Sequence, residues 1–184
     1  MKTLLLTTLF VLFCFKGFSQ DLKALDTKYG FKEAKLEMPV TSFKNLVPQG
    51  SVEETLPNCK LYEVKNVDLH IGSYSLDDIV YWFYKEKLMT IEITVSGGYS
   101  NQQGVLKVLQ AAYGKGESYK NSYGSDTYNW EGATVEMSYT LGDDVDPTGD
   151  IQITCYKLQY LQKDDSILKD QKKDLEIKKA AKEL

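Results

Sequence analysis

The hydrophobic pattern is strongest between residues 67 and 95. Val67, Leu69 and Ile71 alternate with polar neighbours, Ile79 to Tyr84 is apolar at nearly every position, and Met89, Ile91, Ile93 and Val95 alternate again. A period of two places every second side chain on one face, so this block predicts an antiparallel meander whose last hairpin turns at Lys85-Glu86-Lys87. The period then changes. In "SNQQGVLKVLQAAYGKG" Val105, Leu109 and Ala112 fall on one helical stripe beside Leu106 and Tyr113, Ser100 and Gln103 have the spacing of a capping box, and Gly114 stands where a helix stops. Strands resume with Val135, Met137, Tyr139 and Leu141 alternating against Thr134, Glu136, Ser138 and Thr140, followed by "DIQITCYKL". Upstream, "EAKLEM" and "CKLYEV" read as short strands around "PVTSFKNLVP", where Thr41 or Ser42 caps a short helix that Pro48 ends. The resulting fold class is α+β: an antiparallel β-sheet with one amphipathic helix packed on one face, a short N-terminal helix and a charged C-terminal helix.

Both ends of the chain depart from this pattern. Residues 1–19 carry Lys2, an apolar run from Leu4 to Phe15 and the small residues Gly17 and Ser19, the arrangement of a secretory signal peptide cleaved after Ser19. Such a run is shorter than the ~20 apolar residues of a transmembrane helix. The expected product is exported, periplasmic or secreted, with one α+β domain over residues 20–160. The tail at 161–184 is rich in lysine and acid and lacks glycine and proline, so a solvated helix or frayed tail is expected there. Leu161, Leu168 and Leu175 recur every seven residues, but Asp164, Gln171 and Lys178 occupy the intervening core-type positions, which leaves a coiled-coil seam half built.

Composition removes some functions. The 22 basic residues against 26 acidic ones give −4, and loss of Lys2 and Lys16 with the leader makes it 20 against 26, or −6. Every basic residue is lysine, so the planar fork that grips phosphate or guanine is missing and nucleic-acid binding is disfavoured. Cys59 and Cys155 are an even pair in what would be an oxidising compartment, and a disulfide between them is one expectation. The other is that each thiol packs as a small hydrophobe in its own strand.

Candidate chemistry is sparse. Asp144, Asp146, Thr148, Gly149 and Ile151 match early positions of an EF-type calcium loop, but Cys155 stands where the bidentate glutamate belongs and the flanks read as strands. A hairpin turn is therefore expected, with no metal and no cofactor. The single histidine, His70, shares an outward face with Asp68; adjacent Asp77 and Asp78 point to opposite faces if on a strand. No G-x-S-x-G, H-E-x-x-H, C-x-x-C or G-x-x-x-x-G-K is present, and no catalytic residue is assigned. The thirteen tyrosines are more informative. "ESYKNSYGSDTYNWEG" sets Tyr119, Tyr123, Tyr128 and Trp130 among Gly, Ser and Asn, a composition typical of adaptable binding loops. Those four residues form the candidate ligand-binding set, although Tyr128 and Trp130 can equally begin the next strand and pack on the sheet.

The layout in which "AKLEMPVTSF" opens the domain and a helix ends in "AAYGKG" resembles small exported α+β modules. It is similar in outline to the small lipoproteins of outer-membrane assembly, with Met38 and Thr41 in place but without the glycine that opens their motif, and to the β-lactamase-inhibitor-type fold. The resemblance implies a protein-binding or envelope-assembly role. The leading expectation is an exported, noncatalytic binding module whose partner is a protein, peptide or glycan of the envelope or the outside. The alternatives are an envelope structural protein assembling through its C-terminal helix, and a carboxylate-dependent hydrolase.

Overall fold

The computed structural model describes residues 22–180 apart from 51, 53–55 and 145, so the predicted leader lies outside the described residues. The chain folds as α+β. Helix α1 (Leu22–Lys28) is followed by the small hairpin β1 (Gly30–Phe31) and β2 (Ala34–Lys35), a 3₁₀ turn at Val40–Ser42, and strands β3 (Leu46–Gln49) and β4 (Cys59–Val64). A second small hairpin, β5 (His70–Ile71) with β6 (Tyr74–Ser75), precedes β7 (Asp78–Tyr84) and β8 (Lys87–Val95). After α2 (Gly98–Tyr113) come β9 (Glu117–Lys120), β10 (Asp126–Glu131), β11 (Val135–Thr140) and β12 (Gly149–Cys155), and then α3 (Tyr156–Ala180). Eight strands form one sheet in the order β3-β4-β7-β8-β12-β11-β10-β9. Each half is an antiparallel meander, and the halves join through their final strands, β8 and β12. No helix among the described residues is long and apolar enough to cross a membrane.

Strand registers explain the core. Directly paired residues share a face, and one such row across the sheet reads Tyr62, Tyr81, Ile91, Ile153, Met137, Trp130. The adjacent row on the same face is Ile79, Ile93, Ile151, Tyr139 and Tyr128. Helix α2 contributes Val105, Leu106 and Leu109 to the same buried cluster, and Leu25 of α1 joins them. Gly114 ends α2 with φ 84° while its N–H still reaches the Gln110 carbonyl at 2.9 Å, as the sequence predicts. The expected capping box is not formed: α2 begins at Gly98 behind Gly97 (φ 81°), which places Ser100 and Gln103 inside the helix. Lys85 and Glu86 make the two-residue turn of the last hairpin, both at positive φ (46° and 63°), a conformation β-hairpins favour because its twist matches that of the strands.

Several expectations are corrected. Pro48 does not end a helix; it sits within β3, at the sheet edge, where a missing N–H is tolerated. Residues 67–71 do not form a full strand, because only His70 and Ile71 pair, with Ser75 and Tyr74. The C-terminal helix starts at Tyr156 rather than 161, directly after β12.

The disulfide expectation is also overturned. Cys59 and Cys155 are both free and both buried. Strands β7 and β8 stand between their strands, so three inter-strand steps separate them by about 14 Å, twice the roughly 7 Å that a disulfide spans between Cα atoms. They also point to opposite faces: Cys59 lies beside Leu61 and pairs with Tyr84, whereas Cys155 follows Ile151 and Ile153 and lies 3.2 Å from the Tyr29 hydroxyl. Burial pushes the Cys59 thiol up to about 11, away from the reactive thiolate. Alkylation mapping is expected to find both cysteines unmodified in the native protein and both free once it is denatured; recovery of a Cys59–Cys155 cross-linked peptide would refute this arrangement.

Candidate binding surface

The face of the sheet opposite α2 has a different chemistry. Its first row runs Leu61, Trp82, Thr90, Thr154, Glu136, Glu131, and its second Glu63, Val80, Glu92, Gln152, Ser138, Asn129, Glu117. A third runs Asp78, Thr94, Asp150, Thr140, Thr127, Tyr119. These three rows hold seven carboxylates and no lysine. Threonine pairs tie the floor together, with Thr90 and Thr154 hydroxyls 3.1 Å apart and those of Thr127 and Thr140 3.0 Å apart. Glu92 accepts the Trp82 indole N–H at 2.9 Å, which holds the ring on this face. Among the described residues, Glu63 is the one acid of these rows paired with an ammonium, that of Lys65.

One acid of this face has a shifted titration. Asp150 is pushed up to about 6, first by burial and then by the negative charge of Glu92, while the Gln152 amide donating to it at 3.0 Å works in the opposite direction. At the far end Tyr156, the first residue of α3, is raised above the usual phenol range by burial and by Glu136 and Glu131. The Asn129 side-chain carbonyl, in the middle row, is buried without a hydrogen-bond partner among the described residues. A surface of clustered carboxylates favours a partner that brings N–H donors and positive charge. The acids come one from each of seven strands.

The four sequence-predicted residues separate. Tyr119 lies in the edge strand β9, pairs with Thr127 on the acidic face and is 53% exposed. Tyr123 is 89% exposed at the tip of the β9–β10 turn, which Asn121 builds by accepting the N–H groups of Tyr123 (2.9 Å) and Ser125 (3.0 Å). Tyr128 and Trp130 instead point to the opposite, apolar face, stacked 6.5 Å apart. Trp130 is completely buried, and its indole donates to the Gly114 carbonyl at 2.9 Å, so its assignment to a ligand surface is corrected: it is a core residue.

The aspartate-rich connection is a hydrogen-bonded loop. Asp143 accepts from the Asp146 N–H and the Ser125 hydroxyl, and Asp146 accepts both the N–H and the hydroxyl of Thr148. Gln102 of α2, itself buried, pins the loop by donating to the Pro147 carbonyl and accepting from the Gly142 N–H. Among the described residues no group of three or more His, Cys, Asp or Glu side chains is placed to hold a metal. His70 is exposed and 2.9 Å from Asp68, which also pairs with Lys32 at 2.8 Å. Asp78, one of the two adjacent aspartates, accepts the Ile79 N–H at 2.7 Å.

No protein family, curated protein or solved structure matches this chain.

Proposed function

We propose that this chain is an exported, noncatalytic binding module that presents the acidic face of its sheet, bordered by Tyr119 and Tyr123, to a basic protein or peptide segment. The observation that carries the reading is the asymmetry of the sheet: one face wears α1 and α2 over an apolar core, and the other aligns seven carboxylates without a lysine in its three rows. Carboxylates held together by strand register repel one another, and a cationic partner relieves that repulsion while steering its own approach. Tyr119 and Tyr123 add large contact area at small entropic cost. Export rests on the composition of residues 1–19.

Panning a displayed-peptide library against the purified protein tests the reading. The enriched peptides are expected to carry Lys or Arg, and Tyr119→Ala is expected to weaken them by about 1 to 2 kcal/mol, roughly tenfold in affinity, with the melting temperature unchanged. Glu117→Lys, next to Tyr119 on an exposed edge, should weaken them further. Failure to enrich peptides, enrichment without basic residues, or indifference to both substitutions would sink the proposal.

A second reading, assembly through α3, is favoured by one observation: Leu161, Leu168 and Leu175 repeat every seven residues and are 47%, 54% and 54% exposed. Light scattering on the same protein separates the two, because assembly through α3 requires a dimer or larger species without any peptide.

A further inference from the structure

A half-open cavity of about 230 Å³ lies between α2 and the apolar face of the sheet. Its floor is Ile93, Met137, Ile151 and Ile153, from β8, β11 and β12, and its roof includes Val108 and Ala112 of α2. Two small elements beside the helix supply the rim. The β5–β6 hairpin is one: Tyr74 packs against α2 at Gly104, where a Cβ would fall 2.0 Å from the ring, and this seating brings Ile71 and His70 to the cavity rim. The end of α1 with the β1–β2 hairpin is the other, and it brings Lys28, Phe31 and Lys32.

The rim differs in kind from the interior. All of the floor is aliphatic or thioether, so water finds no partner there, and a surface of this sort favours an apolar guest. Lys28, Lys32 and His70 bring nitrogen donors to the mouth. The Lys32 ammonium and His70 share Asp68, whereas the Lys28 ammonium meets only the Lys32 carbonyl, at 3.3 Å, among the described residues. Two lysines against one aspartate leave the mouth positive in a chain that is acidic as a whole.

We propose that this cavity is a binding site for a small anionic amphiphile, with an apolar tail between α2 and the sheet and a carboxylate head at Lys28, Lys32 and His70. The volume sets the tail. An apolar cavity of about 150 Å³ accepts benzene, so a space half as large again suits a chain of about eight carbons. The site is on the opposite side of the sheet from the acidic surface and stands independently of the function proposed there.

Octanoate and octanol, which share a tail and differ in charge, are the probes, titrated calorimetrically into the intact protein. Octanoate is expected to bind with a Kd below about 1 mM, with the negative heat-capacity change of apolar burial, and at least about tenfold more tightly than octanol. Lys28→Gln should remove most of that difference and leave octanol binding in place. Val108→Phe and Ala112→Phe, from half-buried and exposed roof positions, fill the cavity without enlarging a buried floor residue, and each should abolish both titrations while the protein still melts cooperatively. Absence of binding by either probe, or binding that persists in a folded cavity-filled variant, would overturn the site; equal affinity for the two probes would overturn the anionic head.

Discussion

Trp130→Ala is expected to lower the free energy of unfolding by about 3 to 5 kcal/mol, the usual cost of deleting a large buried aromatic side chain. For a chain of this size that is a fall in melting temperature of about 10 °C. Contacts with four neighbours are lost together. The ring fills the space above Gly116, where a Cβ would come within 2.8 Å of it, its N–H satisfies the carbonyl of Gly114, the residue that ends α2, and it packs on Tyr128 and lies opposite Met137. Trp130→Phe keeps a ring and loses the donor, so it should cost less, about 1 to 2 kcal/mol. Urea unfolding followed by circular dichroism measures both variants. A loss below about 1 kcal/mol for the alanine variant would mean that Trp130 is not the core anchor its burial implies.

Asp150→Asn is expected to act in the opposite direction, stabilising the protein at neutral pH. The sign follows from protons. Asp150 titrates near its ordinary 3.8 in the unfolded chain and at about 6 when folded. Between those values the native state holds a proton that the unfolded state has released, so stability falls as pH rises through that window. The penalty is complete above it and absent below it. A tenfold change in proton affinity is worth about 1.4 kcal/mol, and the partial exposure of Asp150 reduces the total to the order of 2 kcal/mol. Asparagine removes the charge while its carbonyl still accepts from Gln152, which lies 3.0 Å from the present carboxylate. Urea unfolding at about pH 7.5 should show the gain, and at about pH 4 the two proteins should be alike. A gain that is independent of pH would assign the effect to packing, and no gain at all would remove the crowding of Asp150 by Glu92 from the description of this face.

Trp130 and Tyr119 stand in one Tyr-rich, Gly-rich stretch with the same local composition, and only strand pairing separates them. In the structure β9 and β10 run antiparallel with Tyr119 opposite Thr127, one position out of phase with Trp130, so Tyr119 faces the acids and Trp130 the core. Composition marks the whole segment as exposed. Register, which belongs to pairs of strands, decides which rings are.

The same division runs through the whole chain. Wherever a segment meets solvent on one side and core on the other, the constraint is local, and the sequence records it as a period: two in β8 and β11, the helical stripe of α2, the stop at Gly114. That was enough to determine an antiparallel α+β fold with a helix on one face. Short or wholly exposed elements carry no such record, which is why the edge strand β9, with all its residues exposed, has the composition of a loop and β3 is hidden behind Pro48. The order of strands across the sheet lies beyond any local pattern, because it follows from contacts between segments distant in sequence. It was the tertiary structure that put β7 and β8 between Cys59 and Cys155, aligned carboxylates from seven strands on one face, and set a half-open cavity between α2 and the sheet behind Lys28, Lys32 and His70. Each of those residues is ordinary in its own segment; their charge and volume acquire meaning only through neighbours that register and packing supply.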